Sequence, residues 1–530
     1  MKTIRFSKQL LIGLLLYITT ACSKNEEIES PSPQPNPAPT EKVARMLDGY
    51  SFNYKLKEVY GDLSNLKSIV FIVNSNFKPT DVYQTFSTRK SEYPIYGIDN
   101  NGNFTIYTEG NKIILPPDSY GMFYNCSSLI SLDLSNLDSS EVTNMGAMFS
   151  YCTSLTSLNL SKFNTSKVTD MRRMFDNCSA LPSIDLSNFD TSNVIIMDKM
   201  FNECTSLKSL DLSKLNTPNL TSIGNMFSSC ISLKKINLGK FNTSKVTDMG
   251  NTFSNCSSLT SLDLSDFDTS SATGMAGMFF NCSNLTSLDL SNFNTTNVTT
   301  TAGMFYNCHA LSSVNLSNFD TSNITNMNVM FGNCYALKSL DLRSFDTTNV
   351  NEMGGMFIGC TSLSHLNLSH FNTSNVIHML SMFKDCQALN NLNLSNFNTS
   401  HVSIFSEMFS GCKSLTSLDI SNFDTSKAED MVYMFNDCHS LTTLDLSNFN
   451  TTNVLSMWNM FNNCQSLTSL RLDNFIIDNA YREDMFNNLS LISKSCTITI
   501  PKSSYELIKD QLTAPYITIN FSTEPKAKKP

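Results

Sequence analysis

Apolar and polar residues follow one another along most of this chain on a fixed beat. From Cys126 to Cys464 a cysteine recurs every 26 residues with no insertion or deletion. One copy reads CSNLTSLDLSNFNTTNVTTTAGMFYN, from Cys282 to Asn307. Leu285, Leu288 and Leu290 give the spacing L-x-x-L-x-L, and Leu288-Asp289-Leu290 alternates in and out as a strand does. Around Phe293, the residues Ser291, Asn292, Asn294, Thr295 and Thr296 are short and polar and bond nearby backbone, which predicts a turn. In another copy Val168, Met171, Met174 and Phe175 lie three or four apart, which predicts a helical or 3-10 turn facing the core.

No single copy can bury such a set; stacked copies bury it against one another. The pattern therefore predicts an α/β repeat solenoid of about fourteen leucine-rich-type coils. The expected form is a right-handed coil stack with one parallel β-sheet face, short helical or 3-10 turns opposite, and caps at both ends. At about 4.8 Å per parallel strand it is roughly 65 Å long. The constant period leaves no insertion loop to house a pocket. The repeats are expected over 122–487. Residues 41–121 read as an N-terminal cap, with a strand at Ser68–Val73 and a hairpin around Asn101-Gly102. Residues 488–530 read as a C-terminal cap with two strands, a helix near Ser503–Leu512 and a basic tail.

Ahead of the caps the pattern changes. Lys2, Arg5 and Lys8 precede a short apolar run, and Thr20-Ala21-Cys22 follows, the order of a secretory signal over 1–21. The apolar run is too short to span a bilayer, which needs about 20 residues. Thr20-Ala21-Cys22 resembles the end of the bacterial lipobox, although Thr19 stands where that motif prefers Leu, Val or Ile. The resemblance implies lipid on Cys22. Ser23-Lys24-Asn25-Glu26-Glu27 is similar to the surface-export signals of some Gram-negative lipoproteins. Pro31, Pro33, Pro35, Pro37 and Pro39 make 22–40 an expected extended tether, since proline lacks the donor a ladder needs.

Charge narrows the partners. A net charge of −9 argues against nucleic acid, which rewards clustered Lys and Arg, and against broad adhesion to anionic membrane. The expected membrane link is covalent, through Cys22.

The copies F-[DN]-T-S-x-V-T-x-M-x-x-M-F-x-N-C-x-S-L-x-S-L-[DN]-L-S-[NK] resemble the bacterial surface protein 26-residue repeat. That group is allied to BspA-like leucine-rich-repeat surface proteins and to repeat lipoproteins of mycoplasmas. The resemblance implies an outer-membrane, cell-surface location. It also implies binding to extracellular or host matrix proteins such as fibronectin or fibrinogen. The motif itself is scaffold and brings no partner with it. A monomer is expected.

Candidate chemistry is sparse. The cysteine rank reads as buried thiols packing like small hydrophobes, with disulfide staples or a metal as weaker alternatives, since no C-x-x-C pair occurs. The Met rank reads as gap-filling beside Phe, with Cu(I) binding by the thioethers as the weaker alternative. Threonines from Thr165 to Thr451 read as turn-capping hydroxyls, with crystal-surface binding as the alternative. The outward strand positions hold an acidic rank that includes Asp185, Asp211, Asp263, Asp289, Asp341, Asp419 and Asp445. It is either a solvated face that keeps the sheet soluble or a surface for a basic protein patch or Ca2+. Lys235, Arg343, His365 and Arg471 interrupt that face, and departures from a repeat are where specific binding arises. No phosphate loop, nucleophile elbow or H-E-x-x-H occurs, and a near-uniform array lacks the asymmetry of an active site. No enzyme activity, no cofactor and no metal site are expected. The function expected is a surface binding protein. Its alternatives are a glycan-binding module, for which Trp458 is the lone tryptophan, and a structural envelope coat.

Overall fold

A computed structural model describes residues 41–76, 85–239, 241–478 and 480–523. The expected signal (1–21), Cys22, the tether to residue 40 and the basic tail from Lys526 lie outside the described residues.

The N-terminal elements are β1 (Val43–Arg45), α1 (Gly49–Tyr60), β2 (Ser68–Ile72), β3 (Tyr96–Asn100), β4 (Asn103–Tyr107) and β5 (Lys112–Ile114). The array begins with β6 (Ser131–Asp133) and, one corner on, β7 (Leu137–Asp138). Its later strands are β8 (Ser209–Asp211), β9 (Lys235–Asn237), β10 (Ser287–Asp289), β11 (Ser313–Asn315), β12 (Ser339–Leu340), β13 (His365–Leu366), β14 (Thr443–Asp445) and β15 (Ser469–Arg471). The chain closes with β16 (Cys496–Pro501), α2 (Lys502–Glu506), a 3-10 turn at Lys509–Gln511 and β17 (Ile517–Ser522).

The array is a stack of coils in strict register. β10 pairs parallel with β11, placing Ser287 beside Ser313, Leu288 beside Val314 and Asp289 beside Asn315. Each residue meets its equivalent one period on, so like side chains form ranks along the stack. The largest rank is Phe. From Phe123 to Phe486 the rings stack with centroids 5.4–6.0 Å apart, nearly parallel. Offset stacking of this kind suits the ring quadrupole. The Leu, Val, Met and Cys ranks are buried beside it in one continuous core.

The sheet face is less regular than the alternating leucines predict. The strands are two or three residues long and form separate two-stranded pieces along the middle of the array. Ile184, Ile236, Leu262, Val314, Leu340 and Leu366 are only half-buried there. Three residues between two corners is too little strand for a flat, unbroken ladder.

The opposite side departs from expectation. Among the described residues no helix or 3-10 segment falls within the coils. The return segment is instead a run of overlapping reverse turns. Met304 N–H donates to Thr301 O, Tyr306 N–H to Gly303 O and Cys308 N–H to Phe305 O. The intervening Thr301, Gly303, Phe305 and Asn307 N–H groups donate to the next coil, at Asn326, Asn328, Met330 and Gly332. Gly303 and Asn307 stand at φ 62° and 61°, as the third residue of a type II turn requires. A 3.6-residue helix would bond every N–H within its own coil. With a positive φ at every fourth residue of the segment, every second N–H points sideways, and the return segments become a second inter-coil ribbon. The three-residue Met spacing fits both geometries, so it could not separate them.

Both caps extend the sheet. β2 pairs parallel with β6 and with β4, and β4 pairs antiparallel with β3 around Asn101 and Gly102. At the far end β15, β16 and β17 run parallel. α1, which the pattern did not reveal, plugs the first coil. Asp48 caps it by accepting Ser51 N–H at 2.9 Å, and Gly61 at φ 74° ends it. Phe52 packs 5.7 Å from Phe123, and Asn53 donates to Tyr124 O at 2.9 Å, which satisfies a carbonyl that has no coil before it. The expected C-terminal helix is broken into α2 and the 3-10 turn; Ser504 in α2 donates to Phe475 O.

Candidate functional site

The acidic strand rank has a local structural task. Asp185, Asp211, Asp263, Asp289, Asp419 and Asp445 each accept, through Oδ1, the N–H of the serine two residues on, at 2.9–3.1 Å. Asp341 does the same for Arg343 N–H at 3.1 Å. These Asx turns bend the chain out of the strand. Donation from the following backbone and hydroxyl holds the Asp185 and Asp263 carboxylates below the usual range. The Arg343 side chain, folded back at 2.6 Å, draws Asp341 down to about 2. Neighbouring coils ease the crowding of charge, for Asn315 donates to Asp289 at 2.9 Å and Arg471 sits 3.3 Å from Asp445.

The structure does not gather the whole set. Asp419, Asp445 and Arg471 share a shallow depression of about 450 Å³. Lys235 is exposed on β9. His365 meets the hydroxyl of its neighbour Ser364 at 2.9 Å and no carboxylate in that rank. Among the described residues no three His, Cys, Asp or Glu are disposed to hold a metal ion.

The other ranks face inward. Thr165 to Thr451 are buried, and each ties two coils together. Thr269 donates to Asn294 O at 2.9 Å and accepts Asn294 N–H at 2.8 Å. These hydroxyls bridge between coils instead of capping a turn in their own. The thiols are free and buried, and each from Cys152 to Cys464 donates to the Phe carbonyl of the preceding coil, at 3.1–3.2 Å for Cys152 and Cys308. Burial pushes Cys230 and Cys360 up to about 12.

The turn ribbon is where the coils differ, and the sequence reading did not single it out. Two hollows lie on it. One, of about 430 Å³, is polar and lined by Tyr120, Arg172, Arg173, Asp198, Lys199 and Asp248 among others. Arg172 is paired with Asp170 at 2.7 Å, and Asp198 caps a turn at Gly224 N–H. The other, of about 440 Å³, has Val329, Ile358, Leu380 and Ile404 for walls and Gly354-Gly355 for a floor. Both arise without an insertion, contrary to the expectation that a constant period leaves no pocket. A small residue in one coil between large residues in its neighbours is enough. The legible signal was Gly354-Gly355, a doublet flanked in register by Val329 and Leu380.

Half-buried rings also lie on this side. Phe280 stacks on Tyr306 at 5.3 Å, and Tyr433 lies 5.2 Å from Trp458, which is exposed.

Stacked parallel coils, inter-coil ladders on two sides and capped ends define a repeat solenoid of leucine-rich-repeat type. A family described as "Mycoplasma protein of unknown function, DUF285" matches residues 118–236, 221–339, 309–417 and 389–498. These matches span well over half of the 530 residues, and the chain belongs to that family. A comparison with curated proteins finds no match. Among solved structures, the crystal structure of a TLR13–ssRNA13 complex aligns over 79% of this chain and 66% of that one, at 16% identity and a TM-score of 0.24. The chain spans just under two thirds of that protein, and a likeness at this score carries no argument about fold or ligand.

Proposed function

We propose that this protein is a non-enzymatic binding solenoid, held to the outer membrane by lipid on Cys22 and displayed at the cell surface, and that it grips an extracellular or host protein through its turn ribbon. One observation carries the reading. The strand-face carboxylates are engaged in turns repeated coil after coil, whereas the ribbon presents different exposed side chains from coil to coil around the hollows it lines. Specific recognition needs such differences, and a rigid repeat scaffold presents them along one extended surface. The signal, Cys22 and Pro-rich stretch support the display. A right-handed coil, the hand that parallel strand connections take, belongs to the same reading. Matrix or plasma proteins such as fibronectin or fibrinogen are the partner class that the repeat resemblance suggests.

The test is protease treatment of intact cells followed by blotting for the repeat region. Loss of the signal is expected. Full protection would place the solenoid inside the envelope and favour a structural coat. The glycan alternative is not favoured at the apolar ribbon hollow, because no Phe, Tyr or Trp among the described residues lines it to serve as a platform for a sugar.

A further inference from the structure

The geometry points to a peptide-binding site in the apolar ribbon hollow, one that takes an apolar side chain carried on a cationic segment; this deepens the reading of the ribbon as the binding face and rests on it.

The hollow is built by sequence differences between coils. Gly354 stands where the next coil has Leu380 and where a later coil has Trp458. Gly355 stands where the preceding coil has Val329 and a later one Tyr433. A Cβ on Gly355 would come within 2.9 Å of Val329 Cγ1, and Gly355 is held at φ 58°. Only glycine leaves this floor open. Val329 is itself at φ 48°, which β-branched residues avoid. Leu380 is 43% exposed on the rim, on a surface otherwise rich in Asn, Ser and Thr. At about 440 Å³ the space lies in the range of ligand pockets, which span about 300–1,000 Å³.

The rim fixes the sign of the partner. Among the lining residues Glu352 is the one carboxylate, and no Lys or Arg lines the hollow. Glu352 faces His378 Nδ1 at 3.5 Å and accepts Asn328 Nδ2 at 3.3 Å, so its carboxylate is oriented. Lys384, the cation nearest in sequence, is committed to Glu407 at 2.8 Å. An apolar side chain fills the space, and a neighbouring Lys or Arg meets Glu352. An anionic ligand is repelled by the same carboxylate and by a chain of net charge −9.

The experiment follows methyl resonances of Ile358 and Ile404 in the full chain, purified in detergent, titrated with three blocked peptides. Their central sequences are Lys-Leu-Lys, Glu-Leu-Glu and Lys-Ser-Lys. Saturable shifts with the Lys-Leu-Lys peptide alone are expected. Gly354→Leu fills the hollow, and Leu380 shows that the backbone accepts a leucine there; it is expected to weaken the Lys-Leu-Lys peptide at least tenfold. Glu352→Gln is expected to weaken it about threefold, the scale of a surface ion pair. No saturable shift at millimolar Lys-Leu-Lys peptide overturns the proposal. So does equal or tighter binding of the Glu-Leu-Glu or Lys-Ser-Lys peptide, or unchanged binding by Gly354→Leu. Failure here with loss of signal in the cell-surface protease test removes this ligand but not the surface role; protection of the solenoid in that test removes the surface role itself.

Discussion

Single residues hold neighbouring coils together through hydrogen bonds that no coil can make alone. Thr269 satisfies both the N–H and the C=O of Asn294 with one hydroxyl. Valine has the same shape without the hydroxyl. Thr269→Val is therefore expected to destabilise the solenoid by about 1–3 kcal/mol, the cost of leaving a buried polar group unpaired, read from the urea midpoint. An unchanged midpoint would show that the hydroxyl only fills space. The thiols make a second case. A thiol held up to about 12 when folded, against 9.0 in the unfolded chain, binds its proton more tightly in the fold. That contribution is whole below 9.0 and is lost as pH rises toward 12. Two results follow. Iodoacetamide should leave the ladder thiols unmodified in the native protein at neutral pH and label them all in urea. The urea midpoint should fall when the buffer is raised above 9.0; a flat profile would contradict the buried-thiol account.

The distinctive element is the return ribbon, which depends on two left-handed residues per coil. The residue before each ladder cysteine is most often Asn, with Asp and Gly among the rest, because these residues tolerate φ near 60°. Asn177, at φ 54°, is expected to accept Gly with little change. Asn177→Val should cost about 1–2 kcal/mol, since a Cβ branch clashes in that conformation. Equal melting temperatures for the two variants would mean that the ribbon relaxes around the substitution. The strand element behaves differently. Its Asp turns are served equally well by Asn, as Asn159 shows by accepting Ser161 N–H at 3.0 Å. Alternation of Asp and Asn in the rank is thus turn chemistry first, and acidity is secondary to it.

At the scale of the whole molecule the array is modular lengthwise and closed at its ends. Excision of residues 282–307 removes one period and joins equivalent positions, so the remaining coils keep their register. The shortened protein is expected to fold and to unfold at a modestly lower temperature. Aggregation would indicate that the particular neighbours on either side of the cut matter more than the repeat. Loss of a cap is a different injury. Removal of 488–523 strips β16 and β17 and exposes the edge of β15 with the Phe rank behind it. Such an edge templates association with other chains, so aggregation is the expected outcome there.

By itself the sequence determined the period, the inward ranks, the parallel register and the presence of capping strands. Each of these follows from spacing, and spacing survives in one dimension. It also pointed to Cys22 and to the acidic rank, and the positions of Leu285, Leu288 and Leu290 as core were legible directly. Tertiary structure decided what spacing leaves degenerate. Met171 and Met174 point inward on a helix and on a run of reverse turns alike; only the backbone of the adjacent coil, receiving every second N–H, selects the turns. Asp289 reads as a free surface charge until its bond to Ser291 is seen. The hollow over Gly354-Gly355 belongs to no one coil. It exists because residues a full period apart in sequence are neighbours in space, and a missing side chain in one coil becomes a cavity only when the walls on either side are large.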